Sequence, residues 1–359
     1  MTKLIVLSSF DWSAPGTPEM ITETASIAGI ETIHFSKPKS LVSIKTRTHR
    51  ELPHVKCKTL NFISSRFSKL KLFEKLQCKF VTGQIIRSIN KTNTHDNQVS
   101  LIYTNLGPIV GILSELKPYF KNFFYICADY SNLDSDFQSN ALAANKILTI
   151  PDSMISKINC LYPGKALHWP QMTSYFEEKN KISQKTKVIL NEIPKPRAVY
   201  SGLIKPRITT SFYEEISGNL PDISFISFTD KKEVQINKNR YEIPWLEKKE
   251  MLAFLTECDA GIMPYNIDDP HNLHCVPLKL FEYFQAGIPV VSTKLINLEK
   301  YSQNIYLAEN AKDFIYKLNL CLKKIPHMQN ISLCKKISND HLTVNRTESL
   351  IRLLNSNNY

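Results

Sequence analysis

The stretch CVPLKLFEYFQAGIPVVST, Cys275 to Thr293, carries one lysine and one glutamate in an otherwise apolar run. Pro277 suits the first position of a helix and Gly287 the position just past its end, which predicts a short helix feeding a buried strand, VVST. Lys279 then falls in the first turn, where the helix dipole disfavours a cation, and Glu282 lies one turn later on the same face. An anion bound at the helix start would account for the lysine. Free N–H groups there and the Lys279 ammonium both suit the oxygens of a nucleotide diphosphate, and Glu282 could accept hydrogen bonds from ribose hydroxyls. The alternative is a surface ion pair between Lys279 and Glu282 above a row of core residues.

Stepping outward, short apolar runs alternate with helical patterns. KLIVLSS, ETIHF, VSLIYTN, NFFYICAD and NKILTIP read as strands, and RAVYSGL, DISFISF, GIMPY and PVVST form a second series. Such alternation predicts α/β architecture with two doubly wound, Rossmann-like halves facing across a cleft. The expected division is 1–165, 166–340 and a terminal helix, 341–359, packing back on the first half; the proline-rich LYPGKALHWPQ and NEIPKPR mark the boundary. Ligands of doubly wound sheets sit beyond the carboxyl ends of the strands, which selects Asp11, Asp129, Lys205, Arg207 and Tyr265. Each aspartate could instead cap a turn or helix, and a tyrosine at a strand end is often core with a wet hydroxyl.

The eight cysteines are scattered without a CxxC pair, as expected for reduced core thiols in a cytosolic protein rather than a zinc site. The opening MTKLIVLSSF is too short an apolar run for a signal peptide, and no run of apolar residues is long enough to span a membrane. The net charge of +12 favours phosphate-rich partners. Fourteen Lys and Arg crowd residues 37–91. There RFSKLKLFEKLQCKF sets Phe67, Leu70, Phe73, Leu76 and Phe80 at helical spacing among lysines, a basic amphipathic helix able to pack on its own domain or to meet an anionic membrane. A nucleic-acid-binding reading of this region lacks zinc-finger spacing, an RNP-like strand or a recognition helix.

The segment GIMPYNIDDPHNLHCVPLKLFEYFQAGIPVVST resembles the nucleotide-sugar-binding segment of bacterial GT-B glycosyltransferases of the GT4 or glucuronosyltransferase kind, in which "PLKLFEYLAAGKPVVS" follows "DVGLMPY". Looser similarity extends to RAVYSGLIKPR, NKILTIPDSM, YICADYS and SSFDWSAPGTPEMITETAS. The resemblance implies transfer of a sugar from a nucleotide-sugar donor, UDP-sugar favoured, to a glycan or lipid-linked acceptor of a bacterial surface polysaccharide. Pro277, Leu278, Lys279, Glu282 and Tyr265 would line the donor site, with Lys205 and Arg207 near the diphosphate. Fixed cations would stabilise the leaving nucleotide without a metal. The one DxD-like pair, Asp134 and Asp136, sits in a polar stretch.

An inverting transferase would need a base; Asp129 is the first choice because it matches the family's acidic turn, and Asp11 the second. Retaining members often carry E-x7-E, but His274 occupies the first glutamate's position and Asp268 and Asp269 have the wrong spacing, so the stereochemical outcome stays open. His274 itself could touch the donor sugar or simply finish a loop. The expected location is cytoplasmic, with peripheral attachment to the inner membrane. A catalytically degenerate member, or a basic protein binding membrane or nucleic acid, is the alternative.

Overall fold

In a computed structural model, residues 3–9, 12, 16–40, 51–63, 71–90, 99–105, 112–174, 181–232, 234–323 and 331–355 are described. The chain divides into two compact units, residues 1–174 with 343–359, and 175–342.

The first unit is built on a seven-stranded parallel sheet in the order β3-β2-β1-β4-β5-β6-β7. Its strands are β1 (Lys3–Leu7), β2 (Thr32–Ser40), β3 (Val55–Phe62), β4 (Val99–Tyr103), β5 (Asn122–Cys127), β6 (Lys146–Thr149) and β7 (Ala166–His168). β4 and β5 are buried at every position, which is why VSLIY and NFFYIC read as continuous rather than alternating apolar runs. The helix Thr347–Asn355 buries Leu350, Leu353 and Leu354 in this unit, and Asn122 Nδ2 donates to Leu354 O at 3.4 Å.

The second unit has seven strands in the order β10-β11-β9-β8-β12-β13-β14. They are β8 (Arg197–Val199), β9 (Ser224–Thr229), β10 (Gln235–Asn237), β11 (Arg240–Pro244), β12 (Ala260–Met263), β13 (Val290–Thr293) and β14 (Tyr306–Ala308). All pairs are parallel except β10 with β11. In both sheets the strand order reverses beside the first strand of the unit, between β1 and β4 and between β8 and β12. The carboxyl ends of β8 and β12 therefore flank a topological switch point, the place where doubly wound sheets hold ligands.

The basic helix differs from its expected form. It runs Lys71–Asn90, and Phe67 and Leu70 lie outside the described residues. Its buried stripe is Cys78, Val81, Ile85 and Ile89, Phe80 packs partly against the core, and Leu76 stands 55% exposed. The core side thus lies further along the helix, where apolar residues recur and lysines are sparser, Lys79 alone falling among them and facing outward. None of the cysteines is in a disulfide; Cys160 is exposed and Cys57 half-buried, and the other six are core thiols as expected.

Candidate functional site

The helix Leu278–Ala286 is nine residues long and ends on Gly287 at φ +70°, the left-handed conformation that glycine adopts without strain. Pro277 is its N-cap, one position before the expected one, and supplies no side-chain cap. Leu278 opens the first turn, and both Lys279 and Glu282 are half-buried. Two further residues of the helix fix its placement. Ser201 donates to Tyr283 Oη through its backbone N–H at 2.8 Å and its hydroxyl at 3.2 Å, while the Tyr283 hydroxyl donates to Val199 O at 3.0 Å. Ser338 Oγ donates to Phe281 O at 2.8 Å. Tyr283 thereby ties the helix to the end of β8, and burial raises its ionisation far above the ordinary tyrosine range.

Lys279 turns toward tyrosines. Its ammonium donates to Tyr265 Oη at 3.0 Å and lies 3.9 Å from the centre of the Tyr200 ring and 5.2 Å from that of Tyr265. Tyr200 follows β8 and Tyr265 follows β12, so the cation sits at the switch point of the second sheet. Gly202 makes the approach possible: a Cβ there would meet Lys279 Nζ and the Tyr200 ring at 3.0 Å. The two rings meet edge to face, with centroids 6.1 Å apart. Burial, reinforced by Tyr200, pushes the Tyr265 hydroxyl well above its usual range, so it stays a neutral acceptor. An aromatic setting holds a cation without neutralising its charge.

Arg207 joins the same neighbourhood. Its Nη1 donates to Asn272 Oδ1 at 3.0 Å, and the fully buried Asn272 returns two hydrogen bonds, to Arg207 O at 3.0 Å and Asn266 O at 2.9 Å. The loops after β8 and β12 are further joined where Asn266 N donates to Arg207 O at 3.0 Å. Lys205, in the same loop, is exposed. His274 is the C-cap of the short helix Pro270–Leu273, and its carbonyl accepts from Asn297 Nδ2 at 2.6 Å. Asp269 caps that helix, accepting from His271 N at 2.9 Å.

In the first unit, Asp129 is exposed two residues beyond the end of β5. Asp11 lies outside the described residues. Asp134 is the N-cap of the helix Ser135–Ala143, accepting from Phe137 N at 2.9 Å, and Asp136 lies in its first turn, so this DxD-like pair serves a helix start.

The sequence did not single out Tyr200, Tyr283 or Asn272 in the second unit. Nor did it single out a buried polar group beside β1: Glu19 accepts from Ser8 Oγ at 2.6 Å and from Gly16 N at 2.8 Å, and its Oε1 stands 3.4 Å from His34 Nε2. A capping-box signal was present there, three residues after Gly16; the tyrosines left no comparable mark.

No family model matches the chain. A Bacillus subtilis (strain 168) protein, TuaH, provisionally named a teichuronic acid biosynthesis glycosyltransferase, is 31% identical over 109 residues, 28% of this chain. The matched region spans only 27% of that relative's length. Among solved structures, the E. coli trehalose-6-phosphate protein bound with UDP-2-fluoro glucose superposes with a TM-score of 0.68 at 10% identity, covering 98% of this chain and 99% of that one. Anabaena HepE in complex with UDP and glucose gives 0.67 at 11% identity, covering 99% and 100%. The fold is GT-B. This is the architecture that the PLKLFEY segment led one to expect, and within the GT-B fold the Lys279 cluster lies at the switch point of the second sheet.

Proposed function

We propose that this protein is a glycosyltransferase that moves a sugar from a UDP-sugar to a glycan or lipid-linked acceptor in bacterial surface polysaccharide synthesis. The observation that carries this reading is the Lys279 ammonium, held at the switch point between Tyr200, Tyr265 and the start of its helix. A diphosphate there would meet a fixed cation and the helix's leading N–H groups together. The named role of TuaH and the UDP compounds bound in the structural neighbours support the same choice.

In this reading Glu282, one turn along, accepts from the ribose hydroxyls, and Arg207 and Lys205 border the diphosphate beside Pro277 and Leu278. As the bond from the anomeric carbon to the diphosphate oxygen breaks, negative charge grows on the nucleotide, and Lys279 stabilises it without reorganising and without a metal. Asp129 is the proposed base for the acceptor hydroxyl, with Asp11 second. The protein would work at the cytoplasmic face of a membrane.

Thermal unfolding with UDP, GDP, dTDP or CMP tests the donor site. A ligand at a hundredfold its dissociation constant should stabilise the fold by about 2.7 kcal/mol. We expect UDP to do so, Lys279→Ala and Glu282→Ala to abolish the effect, and Asp129→Asn to keep it while losing transfer. A fold that no nucleotide stabilises would sink the transferase reading.

A further inference from the structure

Trp245 is one of three exposed large aromatic side chains among the described residues, with Tyr119 and Tyr316, and of these it alone directly follows a strand of the second sheet. It stands 46% exposed immediately after β11, at the carboxyl edge that also carries Tyr200, Tyr265 and Lys279. Its indole lies nearly parallel to the buried Phe228 ring, centroids 5.2 Å apart and planes 14° apart. Phe228 is itself braced edge to face by Phe254 at 5.7 Å. The mount is rigid on the backbone side as well: Trp245 N donates to Thr229 O at 3.3 Å. Phe228 N donates at 3.1 Å to the carbonyl of Gly202, the residue that makes room for Lys279.

A large indole with one face seated on a braced ring and nearly half its surface exposed is an expensive surface feature unless something covers it. β11 lies two places from β8 in the sheet, and with neighbouring strands about 4.8 Å apart that sets Trp245 on the order of 10 Å from the Lys279 cluster. A nucleoside diphosphate has this form: a flat π-face at one end, anionic oxygens at the other, and a ribose between them.

We propose that Trp245 is the stacking platform for the nucleobase of the donor. This rests on the donor site proposed above and assigns its base-binding end. Stacking tolerates any base with a π-face, so Trp245 supplies affinity rather than choice among bases.

Calorimetric titration of UDP and of inorganic pyrophosphate into the parent protein, Trp245→Ala, Trp245→Phe and Lys279→Ala tests the assignment. Trp245→Ala should weaken UDP binding roughly 5- to 150-fold, the range seen when an aromatic stacked on a base is truncated. It should leave pyrophosphate binding at the parent's value, which also shows the variant to be folded. Trp245→Phe should recover most of the UDP affinity, because a smaller ring still stacks. If UDP binding falls in Lys279→Ala and is unchanged in Trp245→Ala, the donor site stands and the base lies elsewhere, which overturns the inference. A loss of pyrophosphate binding equal to that of UDP in Trp245→Ala overturns it too. If the parent binds neither ligand, the donor reading and this inference fall together.

Discussion

Lys279 is held by a hydroxyl and by aromatic faces, where many lysines of similar burial are held by a carboxylate. In the proposed donor site a carboxylate would compete with phosphate for the ammonium, whereas a neutral tyrosine would position it and cede it. The hydroxyl's share can be measured separately from the ring's. Tyr265→Phe keeps the ring that fills the core and removes the acceptor, and hydrogen bonds to charged groups are worth about 1.5–3 kcal/mol. Part of that returns through water in a half-buried site, so UDP should bind roughly three- to tenfold more weakly by calorimetry, with little change in melting temperature. Because burial pushes Tyr265 ionisation well above its usual range, this difference between parent and variant should be the same at pH 7 and pH 9. An unchanged UDP affinity would reduce Tyr265 to a core residue.

At the scale of elements, the helix Lys71–Asn90 bears on how the proposed membrane attachment would be made. Most of the apolar side chains described along this helix are spent on the first unit's core, so the proposed attachment would rest on charge: Lys37, Lys56, Lys75, Lys79 and Arg87 are exposed, and Leu76 is the one exposed apolar residue among the helix's described side chains. Proposed binding to anionic vesicles should therefore be strong at low salt and largely lost at 0.5 M, since charge attraction is screened over a few ångströms there. Protein left in the supernatant at low salt would remove the membrane from the proposal. The same helix shows what a sequence conceals. Its periodicity was legible, but Leu76 and Phe80 have the same character on paper and different surroundings in the fold. β4, β5, β9 and β12 were legible because strands buried on both faces are continuously apolar. β3, VKCKTLNF, is the edge of its sheet and mostly half-buried, so its lysines read as surface charge. β10 and β11 are equally polar, and β7 and β14 are too short to show a period. Lys279 declared itself by being out of place at a helix start, whereas Tyr200 and Asn272 gain their roles only from partners 79 and 65 residues away.

The whole molecule carries a shared vulnerability to base. In the first unit burial raises Tyr103, Tyr125 and Cys127, the last to about 12 from an ordinary 9.0. In the second it raises Tyr213, Cys258, Tyr265 and Tyr283, with Cys321 again at about 12. The cause is the same throughout: an anion cannot be solvated in these cores. Well below the thiols' ordinary 9.0, folded and unfolded chains hold these protons equally, and stability is unaffected. Between pH 9 and about 12 the unfolded chain releases protons from its cysteines, and above about 10 from its tyrosines, while the folded chain keeps them. Each such group then lowers stability by about 1.4 kcal/mol per pH unit. With several groups in each unit, the urea midpoint of tyrosine and tryptophan fluorescence should change little from pH 7 to 8.5 and fall steeply by pH 10.5. Near-neutral substitutions separate the contributions: Cys127→Ala and Cys321→Ala should each flatten the loss between pH 9 and 10 relative to the parent, whatever they do to stability at pH 7. A midpoint that holds steady to pH 10.5 would mean that these hydroxyls and thiols reach solvent easily enough to ionise within the fold.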